Sequence, residues 1–188
     1  MALFVENRRT SKLTLLARYD NPVIIDTTSQ GIMPYRKLSP FYPHGNIPIP
    51  FSPGEYACSV EGIWQGLKVF REAGIDKSKF YANNMKGLKR TQKTCGEILG
   101  HQRGVNDSEI LDYITAKRLL YIPSYLWVIE NCLQKEMDSL IHLSSNSVVV
   151  LLDYNTAKDV LDPLKPISHA TLCKLYLEGQ IAVKPVAY

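Results

Sequence analysis

Apolar positions change period several times along this chain, and each change marks the start or end of an element. "PVIIDTTS" (Pro22 to Ser29) is short and β-branched and predicts a strand, which Gly31 and Pro34 then break. Between Gly31 and Tyr56 no period survives. Pro34, Pro40, Pro43, Pro48, Pro50 and Pro53 are interleaved there with Tyr35, Phe41, Tyr42, Phe51 and Tyr56. That proline density suits neither a helix nor a central strand, and the aromatics argue against disorder. Residues 31–58 are therefore expected to form an ordered loop that wraps the body and lines a pocket.

From Ser59 the spacing becomes helical. Val60, Ile63, Trp64, Leu67 and Phe70 recur on one side, with Ser59 as N-cap and Gly74 as stop, which predicts a helix over 59–73. "SKFYANNMKGLKRTQKT" follows as a weaker helix interrupted by Gly87, and the glycine-rich "GEILGHQRGVND" reads as a loop. Asp107 is expected to cap a helical hairpin over 107–142, in which Pro123 breaks one helix or opens the next. Leu126, Ile129, Leu133, Met137, Leu140 and Ile141 share a face of its second arm. "SVVVLLDY" predicts a buried strand over 147–154, "NTAKDVLDPLKP" a loop, and "SHATLCKLYLEG" a last helix ending at Gly179, with an extended tail beyond. The expectation is an α+β, mostly helical fold with a few short strands, as a single domain over 1–188.

Composition fits that expectation and removes some functions. With 188 residues, 45% of them hydrophobic and 21% charged, the chain has the balance of an ordinary folded protein. A formal net charge of +4 tolerates an anionic ligand but falls short of a dedicated nucleic-acid module. Cys58, Cys95, Cys132 and Cys173 form no Cys-x-x-Cys pair and have no histidine at ligand spacing, so neither a zinc site nor a disulfide scaffold is expected. The N-terminal stretch lacks a secretory apolar core and no segment has membrane-spanning length. A cytoplasmic, reduced setting with no membrane partner is the expectation.

Candidate chemistry gathers on the helix after Ser59. Glu61 and Lys68 are two turns apart, with Gln65 between them, so the three form one polar stripe beside Trp64 on the rim of the apolar face. Such a stripe is an ordinary solvated flank in many helices. The preceding proline and aromatic loop turns it into a candidate ligand wall. Burial against Trp64 would ease proton loss from Lys68, and a carboxylate at Glu61 suits an oxocarbenium-like transition state at a sugar's anomeric carbon. Lys86, Lys89, Arg90 and Lys93 would share a face if helical, and an anionic partner would relieve their repulsion. His44, His101, His142 and His169 are isolated, Ser59 lacks a nucleophile-elbow frame, and no Walker or Rossmann glycine pattern occurs.

The stretch "KLSPFYPHGNIPIPFSPGEYACSVEGIWQGLKVF" resembles the opening signature of the NADAR or YbiA-like superfamily. The matches are Ser39, Phe41, Tyr42 and Pro43, then Tyr56, Ser59, Val60 and Glu61, then Trp64, Gln65, Lys68 and Phe70. "MKGLKRT" is similar to a further segment through Lys86 and Arg90, and Lys117 matches a later helix. Asp153 stands in the place of the family's closing aspartate without its Trp-Gly pair, as in a divergent branch. The resemblance implies an N-glycosidase acting on an ADP-ribosyl or ribosyl-phosphate compound, with ADP-ribosylated nucleic acid as a further partner. It implies Glu61 and Lys68 as the catalytic pair, Phe41, Tyr42 and Trp64 stacking on base or ribose, and Lys86 and Arg90 holding phosphate. Ser39, Gln65, Lys117 and Asp153 complete the implied pocket, and neither a metal nor a cofactor is called for. Two other classes remain open: a non-catalytic binder or sensor of NAD-derived nucleotides, and an RNA-associated protein using the Lys86 to Lys93 face.

Overall fold

A computed structural model describes residues 1–182. In chain order the first elements are β1 (Leu3–Asn7), α1 (Lys12–Arg18), β2 (Val23–Asp26), β3 (Ile47–Pro48), β4 (Tyr56–Ala57), α2 (Val60–Gly66) and β5 (Lys68–Phe70). Then come α3 (Gln92–Cys95), β6 (Ile98–Gln102), β7 (Ile110–Leu111), α4 (Tyr113–Ala116), α5 (Ile122–Cys132), α6 (Gln134–Asn146), β8 (Val149–Asp153) and α7 (His169–Leu177). The fold is α+β with small sheets. Two compact units emerge, Met1–Ser39 with Ile129–Ala182, and Pro40–Val128, so the division falls inside α5. None of the described helices is long and apolar enough to cross a membrane.

The first unit is built on a three-stranded parallel sheet in the order β1-β8-β2. All five residues of β8 are buried, as its unbroken apolar run requires of a central parallel strand. Val149 faces Leu3 on one side and Val23 on the other, and the shared direction brings the ends at Asn7, Asp153 and Asp26 to one edge. Leu15 of α1 packs with Val150 and Leu152 of β8, joined by Tyr19, Ile24 and Val148. At roughly 1.5–3 kcal/mol per fully buried aliphatic side chain, this sandwich anchors α1. Ser168 caps α7 by accepting from the Thr171 amide at 3.1 Å. For residues 183–188 the extended tail expected after Gly179 lies outside the described residues.

The second unit joins an antiparallel sheet, β5-β6-β7, to α2 and the proline-rich loop. Ile47 and Ile49 are fully buried and β3 pairs with β4, so this stretch of the proline-rich loop packs into the second unit. The Pro40 carbonyl accepts from the Glu61 amide at 2.9 Å, which fixes the loop to the start of α2.

Several boundaries differ from the sequence expectation. The helix expected over 59–73 ends at Gly66, and Lys68 lies in β5, opposite His101 of β6. Phe70 falls at helical spacing from Leu67, but it is buried as a strand residue. Two glycines let α2 pack closely: a Cβ at Gly66 would lie 2.1 Å from the Phe80 ring, and one at Gly62 2.6 Å from the Lys79 carbonyl. The chain after Gly66 pairs as a strand, and "GEILGHQRGVND", expected as a loop, supplies its partner β6.

"SKFYANNMKGLKRTQKT" is not helical through Lys86 to Arg90. Asn84 Oδ1 accepts from the Lys86 amide and Gly87 takes φ +68°, so the basic residues do not share a helix face. The helix expected from Asp107 starts at Tyr113, because Asp112 accepts from the Ile114 and Thr115 amides while Ile110 and Leu111 form β7. Lys117–Tyr121 is a π turn between α4 and α5, just ahead of Pro123, which has no N–H to give the preceding turn. Leu133 breaks the run between α5 and α6, and Ile141, placed by periodicity on the buried face, is 45% exposed.

Candidate functional site

In the second unit the polar stripe of α2 is drawn out of water. Ser59 caps the helix by accepting from the Gly62 amide at 3.0 Å. Glu61 is only 7% exposed. Gln65, one turn on and also buried, donates from Nε2 to Glu61 Oε1 at 2.8 Å. The Gln65 carbonyl oxygen Oε1 in turn accepts from the Arg90 amide at 3.0 Å. A buried carboxylate is tolerated only where hydrogen bonds and a nearby cation compensate its desolvation.

Lys68 supplies that cation from β5. Its ammonium lies 5.9 Å from the Trp64 ring centroid. Burial lowers its pKa from the ordinary lysine value, the attraction of Glu61 partly opposes this, and Arg90 and Lys89 lower it further. Directly across the β5 and β6 pairing stands His101, whose ring stacks on Trp64 at 3.7 Å between centroids and 31° between planes. Tyr121 and Tyr113 meet Trp64 edge-on at 5.6 and 6.0 Å. Lys117, fully buried in the π turn, holds its ammonium 4.4 Å from the Tyr113 ring centroid.

His101 is the anomaly of this cluster. It is 2% exposed, and neither ring nitrogen has a hydrogen-bond partner among the described residues. Burial, with Lys68 nearby, pushes its pKa down to about 3, so the ring is neutral at any ordinary pH. A buried polar atom left unpaired costs about 1–3 kcal/mol. Trp64 stacking covers the ring face and leaves both nitrogens unsatisfied.

The other expected site residues take other roles. Arg90 is a clamp: its NH1 donates to the carbonyls of Lys68 at 2.6 Å and Gln65 at 3.3 Å, its NH2 to that of Gly74 at 2.7 Å, and it stacks over Phe70. These bonds fix the strand that carries Lys68 and occupy the guanidinium that was expected to hold phosphate. Lys86 is exposed in the irregular stretch. Phe41 lies beneath the Lys89 ammonium at 5.8 Å, and the Tyr42 and His44 rings meet at a tilt with centroids 4.9 Å apart. Ser39 and Asp153 belong to the first unit.

Asp153 there forms a different constellation. Its Oδ2 lies 3.1 Å from His169 Nδ1 and accepts from the Ser168 hydroxyl at 2.9 Å. His169 Nε2 lies 3.0 Å from the Thr27 carbonyl oxygen, which can only accept, so this nitrogen carries a proton. The Thr27 hydroxyl, also 3.0 Å from Nε2, already donates to the Leu152 carbonyl at 2.8 Å. Both ring nitrogens therefore donate and His169 is an imidazolium. Burial alone would lower its pKa, but the charge and hydrogen bond of Asp153 outweigh this and raise it. The Asp153 carboxyl, which burial would push up, is held below its ordinary value by the same pairing.

Sequence periodicity finds Glu61, Trp64, Gln65 and Lys68 as neighbours. It misses His101, Tyr113 and Tyr121, because strand pairing and the π turn bring them in from afar and no local spacing marks them. Among the described residues no group of three or more His, Cys, Asp or Glu side chains is placed to hold a metal ion. A family model described as a family of unknown function, DUF6939, matches residues 7–173. No curated protein and no solved structure matches the chain.

Proposed function

The chain belongs to the DUF6939 family, whose function is unknown, and from that premise we propose, on the site itself, an N-glycoside hydrolase acting on an ADP-ribosyl or ribosyl-phosphate compound. The observation that carries this reading is a buried Glu61 carboxylate in electrostatic reach of a half-buried Lys68 amine that lies over the Trp64 ring. Lys68 keeps a lowered pKa even though Glu61 attracts its charge. A lysine whose pKa is lowered gives up its proton more readily than an ordinary one, which suits a general acid. The resemblance to the NADAR superfamily through Glu61, Trp64, Gln65 and Lys68 points to the same chemistry, as an analogy.

In this reading the bond between the ribose C1′ and the base nitrogen breaks, with its electron pair passing to nitrogen. The Lys68 ammonium protonates that nitrogen, and the Glu61 carboxylate stabilises the positive charge that develops at C1′. Water then adds to C1′ and returns a proton to the Lys68 amine. Gln65 keeps Glu61 in a fixed rotamer, Arg90 holds the backbone of Lys68, and Trp64 offers a face to ribose or base. No step requires a metal.

The test pairs melting-temperature shifts with product analysis after incubation with NAD, ADP-ribose and ADP-ribosylated nucleic acid. Release of a base or of ADP-ribose is expected. A shift in melting temperature without any product identifies a binder and removes the catalytic reading.

A further inference from the structure

We infer that His101 is a ligand contact of this same site, that it takes an uncharged group able both to donate and to accept a hydrogen bond, and that Trp64 moves aside to admit it. The inference rests on the proposed site and names what the site reads.

The inference follows from what each neighbour leaves undone. His101 is almost wholly enclosed, yet both ring nitrogens lack partners among the described residues. Its cross-strand neighbour Lys68 offers only N–H donors and, as a cation, cannot accept from a ring N–H. Trp64 covers the imidazole with a π face, and Tyr113 and Tyr121 approach Trp64 with their edges. Trp64, the ring that covers the imidazole, is itself only half-buried, which leaves it room to shift.

The chemistry of the incoming group follows from the protonation of the ring. A neutral imidazole presents one N–H and one lone pair. A fully ionised phosphate or pyrophosphate oxygen only accepts, so it would satisfy half of the ring and would prefer an imidazolium. A sugar hydroxyl or the amide edge of a nucleobase satisfies both kinds of atom. The ring stays neutral because burial and Lys68 both oppose its protonation. His101 thus selects the uncharged part of a ribosyl compound and leaves phosphate to other groups.

The experiment uses the full chain with 15N-labelled histidine, following the His101 ring nitrogens by NMR as ADP-ribose, ribose 5-phosphate or inorganic phosphate is added. A shift of at least one ring nitrogen with ADP-ribose and none with inorganic phosphate is expected. A shift shared by ribose 5-phosphate assigns the group to a hydroxyl, and one confined to ADP-ribose assigns it to the base end. ADP-ribose that binds without moving these resonances overturns the inference, as does a shift produced by phosphate alone.

His101→Phe supplies a second readout. It keeps the stacking on Trp64 and removes both unpaired nitrogens, so it is expected to raise the melting temperature while weakening ADP-ribose binding at least tenfold. A purely structural histidine would give the reverse on stability. Unchanged affinity with turnover intact sinks the role of His101 and spares the proposed activity. A wild-type chain that binds no ribosyl compound sinks both.

Discussion

The two units each bury a histidine beside charged groups, and they treat it in opposite ways. In the first, every polar atom of His169 is answered: Asp153 at one nitrogen and the Thr27 carbonyl at the other, with Ser168 donating to the same Asp153 oxygen. In the second, His101 has Trp64 on its face, Lys68 across the strand pair and, among the described residues, no partner at either nitrogen. The first arrangement is what a buried polar network must be if it only holds a fold together. The second costs stability that a purely structural cluster would not surrender. Satisfaction of polar atoms, more than the presence of charged residue types, separates the structural cluster from the candidate site. By residue type alone Thr27, His169 and Asp153 look like a nucleophile triad, yet the doubly protonated imidazole there cannot act as a base.

The sharpest way to break this comparison is Asp153→Asn. It leaves His169 buried without its counter-charge and is expected to cost about 3–5 kcal/mol in denaturant titrations. A loss below about 1 kcal/mol would show that the pair is not the structural keystone of the first unit.

The next largest effect is a difference in pH dependence. His169 has a folded pKa raised above 6.5, so its stabilisation is complete below pH 6.5 and is lost as pH rises through the folded value. Asp153, depressed below 3.8, contributes above that pH and loses its contribution as pH falls. His101 has a folded pKa of about 3 against 6.5 when unfolded, so it costs stability as pH falls from 6.5 toward 3. The slope expected from it is about 1.4 kcal/mol per pH unit. His101→Phe should flatten that acid limb and leave the alkaline limb intact, as followed by urea midpoints across pH. An unchanged acid limb would mean that the His101 ring is not held neutral.

The smallest effect is the control. Arg71 and Glu97 form an exposed ion pair in the second unit, with side chains 67% and 60% accessible. Arg71→Ala is expected to change stability by less than about 1 kcal/mol. A larger loss would show that counting partners ranks clusters better than burial does.

Much of this was legible in the sequence, and the illegible part has physical causes. The buried run ending at Asp153 announced β8, and Ser168 and Gly179 bracket α7 as expected. Glu61, Gln65 and Trp64 were legible as neighbours because helical spacing fixes them locally. Lys68 joined them for a different reason than expected, since it leaves the helix and returns on a strand. Phe70 kept the helical period by coincidence, while the pairing that makes its stretch a strand comes from β6, far along the chain. Arg90 looked like a phosphate ligand because only tertiary structure shows its guanidinium spent on three carbonyls. Isolated histidines carry no spacing signal at all, so His101 and His169 could not be told apart before their partners were in view.

The most direct test of the claim that the cluster of the second unit is a reactive site is turnover by Glu61→Gln, measured with its melting temperature and its affinity for ADP-ribose. The account predicts a fold and an affinity close to wild type with turnover reduced about 10²-fold or more. Turnover at the wild-type rate, or a loss that only follows a loss of folding, would contradict it.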